Sequence, residues 1–309
     1  MNAAPALLGY AAAVGTLAPR IMARSSWPHR APALAVTVWL TLACSFSLCL
    51  ALGALHLASP HTHLHGIIYT CRVALGIDAP SSTRANYAGY VGAGAVGAAL
   101  VVTFTICVRR ARAIRKRHRR VLDLVGRRSA VLGATVLEHA APTAYCLPGY
   151  RPRIVVSRGA VELLSSKQLG AVLEHERAHI AGRHHLLLAA SQAFAAVFRG
   201  LPLASVMREQ IPLLLEMIAD DRALRRTGRN VLATAMYEMA TASVPDGALG
   251  VGGHGVAVRL QRILIPVPSA NLAMLCCIAT AAMVVPLLPV LVACPPSLAL
   301  STTFALLPL

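Results

Sequence analysis

Charged side chains are scarce in this sequence. Of its 309 residues, 13% are charged and 5% are aromatic, whereas 56% are hydrophobic. Soluble domains usually carry about 25% charged residues, so the composition excludes an ordinary water-soluble globular protein. The high apolar content also excludes an intrinsically disordered chain, which combines few apolar residues with high charge. The composition therefore indicates a membrane protein with a modest water-facing part.

Acidic residues are the rarer charged group, and their distribution divides the chain. The sequence has 12 acidic and 29 basic residues, which gives a formal net charge of +17. All of the acidic residues except Asp78 lie between Asp123 and Asp246. We therefore expect the water-facing part in the middle of the chain and membrane segments on both sides of it.

Several uncharged runs are long enough to cross a bilayer, which takes about 20 mostly apolar helical residues. Residues 31–58, 88–108 and 269–295 contain no Asp, Glu, Lys or Arg, and each is predicted to span. Residues 2–19 form a shorter candidate, for which a cleaved signal peptide is the alternative, although no basic residue precedes the run. The sequence thus predicts a mainly α-helical membrane protein with about four transmembrane helices, three before the middle segment and one after it.

The short loops differ in basic charge, and this difference predicts the orientation. Eight basic residues lie between Arg109 and Arg120, whereas the loop 59–87 has only two arginines. Because basic loops stay in the cytoplasm, we expect a three-helix membrane region over 1–108 with its outer loop at 59–87. A cytoplasmic domain over 109–268 and a last span with a short outer tail over 269–309 complete the prediction. The excess of Arg over Lys suggests a GC-rich bacterial genome, so the expected location is a bacterial plasma membrane.

The basic run after the third predicted span has a second interpretation, as a nucleic-acid patch. It holds no aromatic residues for stacking on bases, and topology together with anionic lipid headgroups explains it. We therefore expect the lipid bilayer as a partner, and no direct nucleic-acid binding. Gly89, Ala93 and Gly97 place small residues four apart in that span, which permits close helix packing and a homo-oligomer. The eight cysteines include no CxxC pair, and pairing of Cys71 with Cys294 at the outer face stays open.

The motif His175-Glu176-Arg177-Ala178-His179 is an HExxH sequence. Ser165 and Gln168 before it match a capping box, which predicts a helix that begins there, and apolar residues follow at helical spacing. Histidines four apart share one face of a helix, so both imidazoles can reach one metal ion, and Glu176 is placed to act on a water molecule. The motif predicts one catalytic zinc ion per chain.

A catalytic zinc needs a third protein ligand, and two candidates compete. His185 completes the spacing HExxHxxGxxH. Glu216 belongs to a later helical segment, in which Asp220 lies four residues on, so that an aspartate follows a glutamate on one helix face. We favour Glu216 as the ligand, with Asp220 orienting a ligand histidine, and keep His185 as the alternative. Short strands are predicted at 143–147 and 153–157. They form either a plain two- or three-stranded sheet or a sheet with an exposed edge that binds a substrate backbone in extended form.

An ordered set of segments resembles the BlaR/MecR family of membrane zinc peptidases, whose relatives include the HtpX peptidases. The segments are AYCLPG at 144–149, RIVVS at 153–157, HERAH at 175–179 and EMIAD at 216–220. The resemblance implies a cytoplasmic α+β zincin domain of the gluzincin type. It also implies zinc ligation by His175, His179 and Glu216, a general-base role for Glu176 and an orienting role for Asp220.

Two features lie outside that pattern. The antibiotic receptors of the family carry an external penicillin-binding domain after the last span, whereas this sequence ends at Leu309, so we do not expect a direct β-lactam receptor. The residue that stabilises the oxyanion is left open by the sequence. His254 followed by Arg259 is similar to a downstream pair in related peptidases. The candidates are Tyr237, His254, Arg222 and Arg259.

The expected activity is that of a membrane-embedded zinc endopeptidase that cleaves a cytoplasmic or membrane-associated protein. By resemblance, the substrate includes a transcriptional repressor in a signal-transduction pathway. The alternatives are a quality-control protease like the HtpX peptidases and a non-enzymatic membrane scaffold. The intact HExxH motif argues against the scaffold.

Overall fold

The structure is a computed structural model that describes residues 3–58, 84–242, 253–265 and 271–293. Most of the predicted outer loop, together with Cys71, Cys294 and the tail after residue 293, lies outside the described residues. The helices in chain order are α1 (Ala4–Arg24), α2 (Trp27–Arg30), α3 (Pro32–Ala58), α4 (Arg84–Val125), α5 (Arg158–Leu163), α6 (Ser166–Ala181), α7 (His184–Val197), α8 (Pro202–Leu224), α9 (Arg229–Ala242), α10 (Gly253–Leu264), α11 (Leu272–Val284) and α12 (Leu288–Ala293). The strands are β1 (Gly126–Ser129), β2 (Ala134–Leu137), β3 (Ala144–Leu147) and β4 (Arg153–Ser157).

Three of the described helices are long and apolar enough to cross a membrane. They comprise α1, residues Pro32–Leu57 of α3 and residues Val91–Val125 of α4, and they coincide with the predicted spans at 2–19, 31–58 and 88–108. Helix α4 continues without a break past the predicted domain boundary at residue 108. The basic run 109–120 is therefore helical and continues the same helix beyond the third predicted span.

The predicted fourth span at 269–295 is not one continuous helix in the described residues. Helix α11 has 13 residues and α12 has six, with a turn between them. Pro286 lies in this turn, where its missing amide hydrogen and its ring oppose continuation of α11. A helix of 13 residues is about 20 Å long, shorter than the hydrocarbon core of about 30 Å. The prolines thus explain why the expectation of about four spanning helices is only partly met.

The largest buried cluster joins the first membrane helices to α7 and α8. Trp39 and Phe46 of α3 are buried with Phe194 of α7 and with Leu203 and Met207 of α8. The ring of Phe46 meets that of Phe194 edge-on, with ring centroids 6.1 Å apart. The middle segment is therefore anchored in the membrane region by a shared apolar core, as well as through the covalent link in α4.

The sheet has four strands in the order β1-β2-β4-β3, more than the two or three predicted. Strands β3 and β4 confirm the predictions at 143–147 and 153–157, and β3 pairs with β4 antiparallel at one edge. Strand β2 pairs with β4 in parallel and with β1 antiparallel. Ile154 and Val156 of β4 pack against α6. This packing places the edge strand β3 beside the helix that carries the HExxH motif.

Candidate metal centre

Helix α6 carries the HExxH motif, and it begins where the sequence predicts. The Ser165 hydroxyl accepts a hydrogen bond from the Gln168 amide, and the Ser165 amide donates to Gln168 Oε1 at 2.7 Å. This reciprocal cap satisfies two amide hydrogens of the first turn that have no partner within the helix. His175 and His179 are one turn apart and present their Nε2 atoms to each other at 3.1 Å.

Helix α8 supplies the third member of the cluster. Oε2 of Glu216 lies 3.3 Å from Nε2 of His175, and its Oε1 lies 3.3 Å from Nε2 of His179. The three side chains form a potential metal-binding group, with ligand atoms all within 4.8 Å of one another. The structure thus brings together the residues that the sequence favoured, although Glu216 follows His179 by 37 residues and lies on a different helix.

The separations of these atoms match what zinc requires. Zinc binds imidazole nitrogen at about 2.0–2.1 Å and carboxylate oxygen at about 2.0–2.2 Å, usually in tetrahedral geometry. Two ligand atoms at a tetrahedral angle on such bonds are about 3.3 Å apart. The observed separations are 3.1, 3.3 and 3.3 Å. Two imidazoles and one carboxylate therefore fit a zinc site with one position left for water or substrate.

Asp220 and Arg259 lie behind His175 and fix its orientation. Nδ1 of His175 donates to Oδ1 of Asp220 at 3.0 Å, which turns Nε2 toward the cluster. Asp220 is fully buried, and Arg259 of α10 donates to both of its oxygens, at 2.8 and 2.7 Å. Arg259 also contacts Oε2 of Glu216 at 2.9 Å. Its guanidinium group therefore binds both Glu216 and Asp220.

These contacts set the charges of the buried groups. Burial opposes the charge of His175, but its hydrogen bonds to Asp220 and Glu216 outweigh this and raise its pKa to about 9. Burial would likewise raise the pKa of Asp220, yet the hydrogen bonds from Arg259 and His175 lower it below its usual value. The pKa of Glu216 is lowered for the same kind of reason, by both histidines and Arg259. Both carboxylates are therefore ionised at neutral pH.

His184 is a site residue that sequence reasoning missed. Its side chain is buried, and its Nδ1 lies 2.8 Å from Nδ1 of His179. Burial, together with the neighbouring His179, lowers the pKa of His184 to about 4. A neutral His184 accepts a hydrogen bond from Nδ1–H of His179, and this leaves Nε2 of His179 free to bind a metal. Each of the two motif histidines thus has its own orienting partner.

The turn between α6 and α7 makes this contact possible. Arg183 adopts a left-handed conformation with φ of 49°, the one described non-glycine residue with positive φ. A β-carbon on Gly182 would lie 2.4 Å from Nε2 of His184, so only glycine leaves room for that ring. Gly182, the glycine of HExxHxxGxxH, therefore leaves room for the ring of His184. The spacing itself had pointed to the next residue, His185, as a ligand.

The other predicted residues are more scattered. His185 lines a different cavity, on the side of the turn that faces α4, and it is not part of the metal-binding group. Tyr237 is 60% exposed and does not line the cavity beside the cluster, and Arg222 is also exposed. The side chain of His254 lies outside the described residues. Of the residues predicted to stabilise an oxyanion, Arg259 is the one whose described side chain lines this cavity.

A cavity of about 270 Å³ opens beside the three ligand candidates. Glu176 lines it together with Ala144 of β3, and α9 contributes an apolar wall that includes Met236 and Met239. Burial, and then the negative charge of Glu176, raises the pKa of the Cys146 thiol on β3 to about 12. The thiol is therefore protonated at neutral pH and can donate a hydrogen bond to Glu176, a contact that the sequence did not suggest.

Comparison with known proteins gives one match. Residues 109–241 match the family model described as Peptidase family M48. No curated protein and no solved structure matches. The matched segment contains the HExxH motif, Glu216, Asp220 and His184, and the family consists of peptidases that are generally zinc-dependent. Residues 109–241 are therefore similar to the peptidase domain of family M48, which supports a membrane metallopeptidase of that family.

Proposed function

We propose that this protein is a membrane-bound zinc endopeptidase that cleaves cytoplasmic or membrane-associated proteins. One observation carries the proposal. The Nε2 atoms of His175 and His179 and the carboxylate of Glu216 lie at tetrahedral ligand separations, in a cavity that Glu176 also lines. His175, His179 and Glu216 would hold one zinc ion, which when bound supplies a Lewis acid and lowers the pKa of water.

The residues of the chain supply the proton transfers. Glu176 accepts a proton from the attacking water and returns it to the amine that leaves when the peptide bond breaks. Asp220 and His184 hold the two imidazoles in the tautomer that binds metal. The Cys146 thiol is protonated at neutral pH and can donate a hydrogen bond to Glu176. This contact keeps the carboxylate beside β3, where substrate is expected.

Strand β3 and the apolar wall of the cavity support binding of an extended peptide. Strand β3 pairs with β4 along one edge, and within the described chain no strand covers its other edge. A substrate segment could add to that edge through backbone hydrogen bonds. Met236 and Met239 of the cavity wall favour an apolar side chain next to the cleaved bond. This mode of binding selects an unfolded or extended segment more than a particular sequence.

The proposed location of the peptidase domain is the cytoplasmic face of a bacterial plasma membrane. The three long apolar helices support a membrane protein, and the basic run after the third one supports the orientation through the positive-inside rule. An Arg120→Cys variant in whole cells tests this proposal. A membrane-impermeant thiol reagent should not label residue 120 unless the cells are lysed. Labelling of that position in intact cells would overturn the orientation.

Two physiological roles fit this activity. One is cleavage of a transcriptional repressor in response to a signal, and the other is removal of damaged membrane-associated proteins. Proteomics of cytoplasmic fragments separates them when cells with the native chain are compared with cells that carry Glu176→Gln. One dominant cleaved substrate supports the signalling role, whereas many partly unfolded substrates support quality control. Self-association through the small residues of α4 is a further proposal, which cross-linking in membranes would test.

The Glu176→Gln variant tests the enzymatic proposal itself. Purified with zinc, it should retain about one zinc ion per chain while losing at least 10²-fold in peptide cleavage, the low end for a general base. Glu209→Gln is a matched control, because Glu209 is an exposed carboxylate on α8 away from the cavity. It should keep both zinc and activity. Undiminished cleavage by Glu176→Gln would refute the general-base role, and a folded native chain without zinc affinity would favour the scaffold.

A further inference from the structure

A second cavity, of about 510 Å³, lies between α4, the β3–β4 connection and the turn from α6 to α7. Its wall on α4 consists of Arg112, Arg115, Lys116 and Arg119, whose spacing of three and four residues places them on one helix face. Arg183 contributes a fifth cation from the opposite side. Among the described residues, no carboxylate lines this basic cavity.

The cations of the basic cavity have no counter-charge among the residues that the structure describes. Within the described chain, none of the five forms an ion pair. The Nη2 atom of Arg119 donates to two backbone carbonyls, but its Nε is buried without a partner. Nδ1 of His185, which also lines the cavity, is buried without a partner as well. Like charges held this close repel each other, so the arrangement suits a bound anion.

The backbone conformation at Gly149 and Arg183 shapes two walls of the basic cavity. Gly149 has a φ of +145°, and a β-carbon there would lie 3.1 Å from Nη2 of Arg119. On the other side, the left-handed Arg183 starts α7, whose first amide groups carry a partial positive charge. A helix N-terminus and several guanidinium groups that meet at one cavity are the elements of a phosphate site.

One end of the basic cavity, at Arg112, lies at the expected level of the lipid headgroups. Val108 is the last residue of the uncharged part of α4, and the helix continues straight into the basic run. With a rise of about 1.5 Å per residue, Arg112 lies about 6 Å beyond that point and Arg119 about 16 Å beyond it. The polar headgroup layer begins where the hydrocarbon core ends and is about 5–8 Å deep on each side. Arg112 therefore lies within that layer, and the other cations on α4 lie on its aqueous side.

An apolar cavity of about 540 Å³ lies along the same pair of helices. It is lined by residues of α4, α7, α3 and α8, which include Leu100, Phe104, Ala190, Phe194, Leu48 and Met207. Helices α4 and α7 thus line both cavities. On α4, residues 112–119 line the basic cavity and residues 93–104 line the apolar cavity. A ligand with a phosphate and a hydrocarbon chain is complementary to both.

We propose that this protein binds one anionic phospholipid, with its phosphate in the basic cavity and an acyl chain in the apolar cavity. A free phosphate ion would satisfy the cations, but it would leave the apolar cavity unexplained. The phospholipid accounts for both cavities on the same two helices. This binding does not depend on the peptidase activity, and Glu176→Gln should bind the lipid as the native chain does.

The test uses the full chain in detergent micelles, with phosphatidylglycerol, phosphatidylcholine or inorganic phosphate added. Retention of lipid is measured by native mass spectrometry, and Tm is measured in parallel. Phosphatidylglycerol should bind at least tenfold more tightly than phosphatidylcholine and should raise Tm. The variant Arg112→Gln/Arg115→Gln should lose at least tenfold in this binding. Arg117→Gln/Arg120→Gln removes equal charge from the same helix outside the cavity and should retain the binding.

A third variant tests the acyl chain separately. Ala190→Leu narrows the apolar cavity and should weaken phosphatidylglycerol binding while leaving the Tm response to inorganic phosphate unchanged. Three results would overturn the proposal: equal losses in the two arginine variants, equal affinity for the two lipids, or a response to inorganic phosphate alone. If the first arginine variant fails to fold, the lipid preference of the native chain and the Ala190→Leu result still decide the question.

Discussion

The contact between His184 and His179 leads to the sharpest prediction about the metal centre. The two Nδ1 atoms are 2.8 Å apart. His184 therefore orients His179 from the side of the ring opposite to the proposed metal. Loss of such an outer partner typically lowers metal affinity 10- to 100-fold, or about 1.4–2.7 kcal/mol. We therefore expect His184→Ala to raise the Kd for zinc by that factor, measured at pH 7.5 by competition with a chromophoric chelator.

His185→Ala is the informative comparison, because the motif spacing names His185 as the alternative ligand. Its side chain faces the basic cavity, so its removal should leave the Kd for zinc within about twofold of the native value. Gly182→Ala should weaken zinc binding as well, since the new β-carbon would displace the His184 ring. Native affinity in His184→Ala, or a larger loss in His185→Ala than in His184→Ala, would refute the assignment.

Three further predictions concern stability and reactivity. The pKa of the Cys146 thiol is near 12 instead of the ordinary 9.0, which lowers the fraction of thiolate about 1,000-fold. Iodoacetamide at pH 8 should therefore leave Cys146 largely unmodified in the folded chain and should modify it after unfolding. Asp220→Ala removes a buried carboxylate that binds Arg259 and His175 and leaves Arg259 paired with Glu216 alone, so it should lower the free energy of unfolding by about 1–3 kcal/mol, measured with urea in detergent. A loss below about 0.5 kcal/mol would contradict the burial argument. Met207→Ala should cost about 2–5 kcal/mol in the same assay, while Met283→Ala, at an exposed position, should cost less than about 1 kcal/mol.

Local sequence signals predicted helix α6, which carries the HExxH motif, and much of the metal-binding site. The capping box at Ser165 and Gln168 is present as expected, because its hydrogen bonds depend only on residues three apart. The HExxH spacing placed both histidines on one face for the same reason. Glu216 and Asp220 were paired correctly on one helix, since a separation of four residues is also a local property of helices.

Features that depend on tertiary contacts were not predictable in this way. Strand β1 is formed by Gly126–Ser129, whose sequence has no alternating apolar pattern. This segment is a strand because its backbone pairs with β2. The position of His184 depends on a left-handed arginine at 183, a conformation that arginine seldom adopts. Sequence periodicity also gave no sign that Met207 of α8 packs against the membrane helices, because a buried helix face looks alike whichever partner covers it.

X-ray absorption spectroscopy of the zinc-loaded protein tests the proposed metal centre most directly. The ligand set of His175, His179 and Glu216 predicts nitrogen and oxygen neighbours at about 2.0–2.2 Å and no sulfur. Glu216→Ala should lose zinc affinity or replace one protein ligand by water at a similar distance. A sulfur shell at about 2.3 Å, which would point to Cys146, or a Glu216→Ala variant that binds zinc as the native chain does, would contradict the proposal.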